Sequence, residues 1–379
     1  MDENRLAGCM KRASEGKALT VGFLGGSITQ DSLASKHEYG YAYRTYLWFR
    51  EKFPRAEISY VNAGIGGTSS LYGVSRVEKE MLIYQPDLVF VDFSVNDGAT
   101  DFFMETYEGL IRRLLFAPSA PAVVLLCNAR YDNGLSAEEK HGMIGDYYGL
   151  PRVSIGSTIY QRILSKELAA SELSPDGLHP NDRGHALVAG EIIRLLEDVW
   201  QRAQKTTPEQ SEGVIQEEEH SKENRNLKCG TFRQDPLTTN AYEKALRLTI
   251  ENTVPKRSGF LVDPREKMGH LDHFKNGWIG KNTGDSISFR VEASCIAVQY
   301  RKSVQHPARR AELILDGESD HPVLLDGNFE EDWGDCLYMQ SILHHGIKKE
   351  HTVTIRILPE DENGKNATIP FYLMSLVIA

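Results

Sequence analysis

The chain has 379 residues, of which 41% are hydrophobic and 25% charged, and its formal net charge is −10. This composition is typical of a globular protein, and the length favours two domains. The acidic balance argues against a nucleic-acid partner and against an anionic membrane surface, because both favour clustered Lys and Arg; a neutral substrate fits better.

Short apolar runs alternate with amphipathic helical patterns over residues 1–205. Several runs are rich in Val, Ile and Leu throughout, which is typical of parallel strands covered on both faces. We predict strands at Leu19–Leu24, Glu57–Asn62, Asp87–Phe93, Ala122–Asn128 and Arg152–Ile155, and helices at Tyr41–Phe53, Ser69–Tyr84 and Asp182–Arg202. Such alternation indicates a three-layer α/β/α domain with a parallel sheet.

The pattern changes after residue 205. Residues 206–228 contain six glutamates and few apolar side chains, which predicts an acidic, solvated linker. Residues 229–379 hold short strand-like runs separated by turn residues, after a possible helix at Ala241–Ile250. This spacing predicts a smaller antiparallel β-sandwich domain, with strands at Ser286–Val291, Cys295–Arg301, Ala311–Leu315, Thr352–Leu358 and Phe371–Ile378.

A glycine-rich turn, Gly25-Gly26-Ser27-Ile28-Thr29, follows the first predicted strand. Ligands of open α/β sheets bind at the carboxyl ends of strands, and glycines there allow a tight turn. Ser27 is therefore either a helix N-cap or a nucleophile beside main-chain amides. The turn lacks the residues that define a phosphate loop, a dinucleotide fingerprint or an α/β-hydrolase nucleophile elbow.

Two further turns follow the second and third predicted strands. The run from Asn62 to Gly67 has three glycines, Gly64, Gly66 and Gly67, which leave main-chain N–H groups uncovered as a possible oxyanion cradle. In the next turn, the uncharged Asn96 side chain can also donate to an oxyanion. The first of these turns is equally well explained as a plain strand-to-helix connection, and for the turn with Asn96, taken alone, a plain turn is the favoured interpretation.

Asp176 and His179 lie three residues apart, just before the last predicted helix. A carboxylate at that spacing can orient an imidazole and stabilise the imidazolium that forms when His179 takes the proton of Ser27. His185 is the competing imidazole, but it falls inside the helix. Asn181 and Asp182 are more plausible as caps of that helix.

The four segments, in this order, resemble the SGNH (GDSL-type) hydrolases over roughly residues 19–200, and the block from Asp176 to Asn181 is the most specific part. The resemblance implies a flavodoxin-like α/β/α fold with Ser27 as nucleophile, His179 as base and Asp176 as its orienting acid. The usual Gly-Asp-Ser is Gly25-Gly26-Ser27 here, which weakens the likeness to lipase-like members.

The same resemblance implies an oxyanion hole formed by the Ser27 amide, the Gly67 amide and the Asn96 side chain, with Gly66 as an alternative to Gly67. It implies no cofactor. The motifs, together with an appended β-sandwich, look most like carbohydrate acetylesterases, in particular carbohydrate esterase family 17. Those are acetylmannan esterases with a C-terminal module like those that bind carbohydrate.

This likeness implies a serine esterase that removes O-acetyl groups from hemicellulose-derived oligosaccharides, with mannan favoured over xylan, through an acetyl-serine intermediate. Two alternatives stay open. One is a lipase or acyl-thioesterase of the same superfamily, and the other is a sugar-binding protein that has lost catalysis.

Four further residues are candidates for contact with a sugar. Trp278 and Trp333 lie in polar loops beside glycines, where an aromatic ring is either a platform for sugar C–H faces or a packing residue. Asn128 and Arg130 follow the fourth predicted strand. Arg130 is equally well explained as part of a structural ion pair.

No metal is expected. The pair His344-His345 would point to opposite faces of a strand, which argues against shared ligation. The five cysteines show no metal or CxxC spacing, which indicates reduced thiols. Because no signal-peptide pattern or membrane-length apolar stretch is found, the chain is expected to be cytoplasmic, without a membrane partner. The sequence does not indicate its oligomeric state.

Overall fold

The computed structural model describes residues 2–205, 233–269, 271–359 and 369–379. The predicted linker at 206–228 and Cys229 lie outside the described residues. By their internal contacts the residues form two compact units, Met1–Gly66 with Val77–Asn240 and Gly67–Arg76 with Ala241–Ala379. Gly67–Arg76 thus groups with the second unit, although it lies within the predicted first domain. The exact domain limits stay a prediction.

A five-stranded parallel sheet forms the centre of the first unit, in the order β2-β1-β3-β4-β5. This is the strand order of flavodoxin-like folds, as the sequence predicts. Strands β1, β3 and β4 are almost completely buried because helices cover both faces, whereas the edge strand β2 is buried at only three of its seven residues. The strands are β1 Leu19–Gly25, β2 Ile58–Gly64, β3 Leu88–Asp92, β4 Ala122–Cys127 and β5 Arg152–Ser154.

The helices complete the three layers. Apolar side chains of α1, α2 and α8 form one core with Phe23 and Phe90, whose rings stack 5.0 Å apart. Leu125 points to the opposite face and packs against Gly145 of α5. The helices are α1 Asp2–Ser14, α2 Tyr41–Lys52, α3 Ser70–Glu80, α4 Asp101–Leu115, α5 Glu138–Tyr148, α6 Ile159–Leu164, α7 Ala170–Leu173 and α8 Asp182–Lys205. Helices α1, α4, α5, α6 and α7 have no counterpart among the predicted elements.

A buried carboxylate helps to attach the segment that re-enters the described chain at residue 233. Glu108 accepts hydrogen bonds from the main-chain amides of Leu237 and Thr238, at 2.6 and 2.7 Å, and from the hydroxyl of Tyr148. These bonds satisfy amides that would otherwise be left without partners in a partly buried loop. Among the described residues, no helix is both long and apolar enough to cross a bilayer.

The second unit contains two antiparallel sheets, in the orders β13-β12-β15-β10-β7 and β14-β11-β16-β9-β8, with β6 paired to β16. The two sheets share one apolar core, so the predicted β-sandwich is confirmed. The strands are β6 Leu246–Leu248, β7 Lys256–Ser258, β8 Leu261–Val262, β9 Trp278–Gly280, β10 Ser286–Ala293, β11 Ile296–Lys302, β12 Arg310–Leu315, β13 Val323–Asp326, β14 Cys336–Leu343, β15 Lys349–Ile357 and β16 Phe371–Ile378.

The prediction of a possible helix at Ala241–Ile250 is wrong. Residues Ala241–Lys244 form a single 3-10 turn, and the chain then pairs with β16 as strand β6. A helix of ten residues is only marginally stable by itself, whereas an added strand gains main-chain hydrogen bonds from a sheet that already exists.

Candidate active site

Ser27, His179 and Asp176 form a continuous hydrogen-bonded chain. Nε2 of His179 lies 2.8 Å from Oγ of Ser27, and Nδ1 lies 2.6 Å from Oδ2 of Asp176. The Ser27 side chain is nearly covered, whereas the imidazole and the carboxylate are partly exposed. The order nucleophile, base and orienting acid is the arrangement that activates a serine hydroxyl.

The short turn that carries Asp176 holds its carboxylate in the ionised form. Oδ1 accepts hydrogen bonds from the main-chain amides of Leu178, at 2.9 Å, and His179, at 2.7 Å. Burial would raise the pKa of this carboxyl, but the His179 ring and the two amides lower it to about 2. Asp176 therefore remains negative whenever the enzyme is folded near neutral pH, and it can stabilise an imidazolium at His179.

The glycine before Ser27 is packed directly beneath Asn96. A Cβ at Gly26 would lie 2.1 Å from Oδ1 of Asn96, a distance that real atoms do not adopt. The departure from Gly-Asp-Ser thus has a local steric basis. The main-chain amide of Asn96 donates to the carbonyl of Phe93, at 3.0 Å. Its side-chain amide carries two further N–H donors, which suit an oxyanion.

Two neighbouring glycines of the second turn differ in what their amides do. The Gly66 amide donates to Oε1 of Gln30, at 2.5 Å, and a Cβ there would lie 3.7 Å from Cβ of Ser27. Gly67 has a φ of +67°, in the left-handed region that favours glycine. Because Gln30 engages Gly66, the next amide in the chain is the better candidate for an oxyanion donor.

A buried polar network lies below the nucleophile turn. Asp92, at the end of β3, accepts hydrogen bonds from the Thr29 hydroxyl, at 3.2 Å, and from the Asn128 side chain, at 2.9 Å. The hydroxyl of Tyr41 in turn lies 2.8 Å from that of Thr29. Among the described residues, Oδ1 of Asp92 has no partner. Burial raises the pKa of Asp92 to about 7, although its hydrogen bonds to Asn128 and Thr29 lower it.

The prediction that Asn128 contacts a sugar is wrong. Its side chain is buried and donates to Asp92, while its carbonyl accepts from Ser94 and Ser136. Arg130 makes the ion pair that the sequence left open, with Nε and Nη2 at 3.0 and 2.7 Å from the two carboxylate oxygens of Asp132. Sequence reasoning missed Asp92, although an acid inside the apolar run Leu88–Phe93 was a visible signal.

The two candidate tryptophans of the second unit differ in exposure. Trp278 is 1% exposed and packs edge-to-face on Phe289 inside the sandwich, so its proposed role as a sugar platform is wrong. Trp333 is 53% exposed. Its ring packs on Phe329, and a Cβ at Gly67 would lie 3.2 Å from its Cη2.

The geometric argument against a shared role of His344 and His345 does not hold. Both residues follow the end of β14, His345 has a φ of +54°, and their ring centroids lie 4.1 Å apart. Because they form a turn, the alternation of a strand does not separate their rings. The expectation that the enzyme needs no metal stays a prediction.

A model of the GDSL-like lipase/acylhydrolase family matches residues 23–187. Two crystal structures of a two-domain esterase active on acetylated mannans, one of them with mannopentaose, align over 98% of this chain and 94% of theirs. Their sequence identities are 43% and 44%, with TM-scores of 0.88. The chain therefore belongs to the GDSL-like lipase/acylhydrolase family and is a carboxylic ester hydrolase, as the resemblance to SGNH hydrolases predicts.

A further structure, an acetylxylan esterase from Geobacillus stearothermophilus, aligns over 47% of this chain and 94% of its own, with 20% identity and a TM-score of 0.40. No curated protein sequence matches the chain.

The buried carboxyl of Asp92 gives a pH-dependent expectation for stability. Its pKa is raised on folding, so between about pH 4 and 7 the folded state keeps a proton that the unfolded state has lost, and stability falls as pH rises. Asp92→Asn removes this dependence. The Tm of the variant relative to the wild type should therefore increase by about 5 °C from pH 5 to pH 8.

Circular dichroism melts at both pH values measure this difference. Asp146→Asn, which changes a carboxylate with 76% side-chain exposure, is the matched control and should show no such trend. A Tm difference for Asp92→Asn that is the same at pH 5 and pH 8 would show that the carboxyl is not held neutral by burial.

Proposed function

We propose that this esterase removes O-acetyl groups from mannan-derived oligosaccharides. The observation that carries the proposal is the hydrogen-bonded chain from Ser27 through His179 to Asp176 in a protein that resembles, over nearly its whole length, a two-domain esterase active on acetylated mannans. A neutral polysaccharide is also compatible with the net charge of −10.

In the proposed acylation step, the Ser27 hydroxyl attacks the acetyl carbonyl carbon while Nε2 of His179 takes its proton. The ionised Asp176 holds Nδ1 and stabilises the imidazolium. Collapse of the tetrahedral intermediate breaks the bond to the sugar oxygen, which receives the proton from His179. The product is an acetyl ester of Ser27 and a free sugar hydroxyl.

Deacylation runs the same proton transfers in reverse. Water gives a proton to His179 and attacks the acetyl-Ser27 carbonyl, and acetate leaves as Ser27 regains its proton. The negative oxygen that forms in both steps needs preorganised donors. We assign these to the amides of Ser27 and Gly67 and the side chain of Asn96. The engagement of Gly66 by Gln30 supports the choice of Gly67.

We also propose that the second unit contributes to sugar binding through Trp333. Its ring is half-exposed and lies close to Gly67, a residue of the same unit. Its indole N–H donates to Glu331, at 2.6 Å, and Phe329 packs edge-to-face against it, so the ring is held in one orientation. A fixed aromatic face beside polar groups suits a sugar.

Replacing the nucleophile tests the proposed reaction directly. Ser27→Ala leaves His179 without a proton donor to activate, so turnover of 4-nitrophenyl acetate and of acetylated manno-oligosaccharides should fall by about 10⁴-fold or more. Acetate release on both substrates is the measurement. The wild type should also lose activity sharply as the acyl group lengthens beyond acetyl. Faster turnover of longer acyl chains would favour the lipase or thioesterase alternative.

The close approach of Gly26 and Asn96 gives a separate test of the oxyanion assignment. In Gly26→Ala the new methyl group pushes the Asn96 amide aside, and a flexible side-chain end moves at little cost to folding. We expect kcat to fall by about 10²-fold with little change in Tm. Combining it with Asn96→Ala should add little further loss. Additive losses would separate Gly26 from the function of Asn96.

Trp333 can be tested by comparing two substrates. Trp333→Ala removes an exposed ring and should lower kcat/KM on acetylated manno-oligosaccharides by about tenfold, while 4-nitrophenyl acetate turnover stays near wild type. Trp278→Phe, inside the sandwich core, is the control and should affect Tm rather than the ratio of the two substrates. An equal loss on both substrates for Trp333→Ala would rule out a platform.

A further inference from the structure

The contact between Ser27 and His179 joins residues 152 positions apart, whereas the contact between His179 and Asp176 is local to one turn. Only the first therefore depends on how two distant segments are held together. A misplacement of about 1 Å between reacting groups costs about 10²-fold in rate. The segments in question are residues 27–41, which follow the nucleophile, and the start of α8, which follows His179.

His185 bridges these two segments from inside the protein. Its side chain is fully buried on α8. The main-chain amide of Tyr41 lies 3.3 Å from Nδ1, and the carbonyl oxygen of Ser32 lies 3.2 Å from Nε2. An amide can only donate and a carbonyl can only accept, so the ring is neutral and carries its proton on Nε2. Burial also lowers its pKa to about 4, which keeps it neutral.

Ser32 is in turn fixed to the nucleophile. Its main-chain amide donates to the carbonyl of Ser27, at 3.0 Å, and the amides of Gln30 and Asp31 donate to the carbonyls of Gly26 and Ile28. The six residues from Ser27 to Ser32 thus form a tight, internally bonded turn. A displacement of Ser32 is therefore transmitted to Ser27.

A second contact joins the same two segments at Asp182, the first residue of α8. The carboxylate of Asp182 accepts from both the amide and the hydroxyl of Ser35, each at 2.7 Å. Asn181 fixes the start of α8, since its side chain accepts from the amides of Arg183 and Gly184. His179, two residues before Asn181, is therefore attached to a helix end that is itself anchored.

We propose that His185 is a positioning residue, which sets the separation between Ser27 and His179 through its hydrogen bond to the carbonyl of Ser32. This inference rests on the proposed catalytic roles of Ser27 and His179. His185 touches neither the substrate nor the reacting atoms. Its neutral ring offers one hydrogen-bond donor and one acceptor at a fixed spacing. An apolar core residue could not hold the two segments in this way.

Two conservative variants separate the two bonds of the ring. His185→Asn places an acceptor near the position of Nδ1 and loses the donor to Ser32, whereas His185→Gln places a donor near Nε2 and loses the acceptor for Tyr41. Each variant loses one buried hydrogen bond, so we expect similar decreases in Tm. In contrast, kcat on 4-nitrophenyl acetate should fall about tenfold or more in His185→Asn and stay within about threefold of wild type in His185→Gln.

The rate of covalent capture of Ser27 by an organophosphonate should follow the same order. KM should change little, because the substrate contacts are untouched. A downfield proton NMR signal from the bond between His179 and Asp176 should persist in both variants, since that bond is local. These measurements together distinguish a longer contact between Ser27 and His179 from a general loss of the fold.

Glu197→Ala is the matched structural control. Glu197 also connects α8 to α2, accepting from Trp48, at 3.1 Å, and from Lys52, at 2.7 and 2.8 Å, about three turns further along the helix. Its loss should lower Tm and leave kcat near wild type. An equal fall of kcat in Glu197→Ala and His185→Asn would reduce the role of His185 to stability, and the proposal would be overturned.

Equal kcat values for His185→Asn and His185→Gln, whether both near wild type or both low, would also overturn it. Ser27→Ala, measured alongside, keeps the two proposals apart. If Ser27→Ala retains activity, the proposed function itself fails. If Ser27→Ala is inactive while His185→Asn works like the wild type, only the role of His185 is refuted.

Discussion

The parallel pairing of β1 with β3 is the constraint on which the site depends. Val21–Gly25 align in register with Leu88–Asp92, and the amide of Gly26 continues the ladder by donating to the carbonyl of Asp92, at 3.2 Å. Strand β2 lies beside β1 and strand β4 lies beside β3, at opposite sides of this pair. The chain therefore runs from β1 to one side of the sheet and from β3 to the other. The reversal of strand order lies between β1 and β3, and the turns that follow these two strands carry Ser27 and Asn96.

Two aspartates of the first unit show how local donors compete with burial. Asp176 is half-exposed and receives two amides and a ring nitrogen, and its pKa is about 2. Asp92 is enclosed, has two side-chain donors on one oxygen only, and its pKa is about 7. The same side chain is thus a permanent anion in one place and a carboxyl that titrates near neutral pH in the other.

The first unit was largely predictable because its signals are local. Apolar runs identify buried parallel strands, and the turn from Asp176 to His179 needs no long-range information. Spacing alone is not sufficient, however. Asp182 and His185 are separated by three residues, as Asp176 and His179 are, yet Asp182 binds the Ser35 loop and His185 is a buried neutral ring that accepts from Tyr41 and donates to Ser32. Asn128 and Trp278 were misassigned because burial at a strand end or in a sandwich depends on distant partners that no short window contains.

The contact between Gly26 and Asn96 also constrains how this sequence can change over evolution. Any residue with a Cβ at position 26 is incompatible with the present rotamer of Asn96, although position 26 follows β1 and position 96 follows β3. The effect of a substitution at one position therefore depends on the residue and rotamer at the other, which is epistasis with a steric origin. Acquisition of the more common Gly-Asp-Ser motif by this lineage would require the Asn96 side chain to adopt another rotamer first, or at the same time.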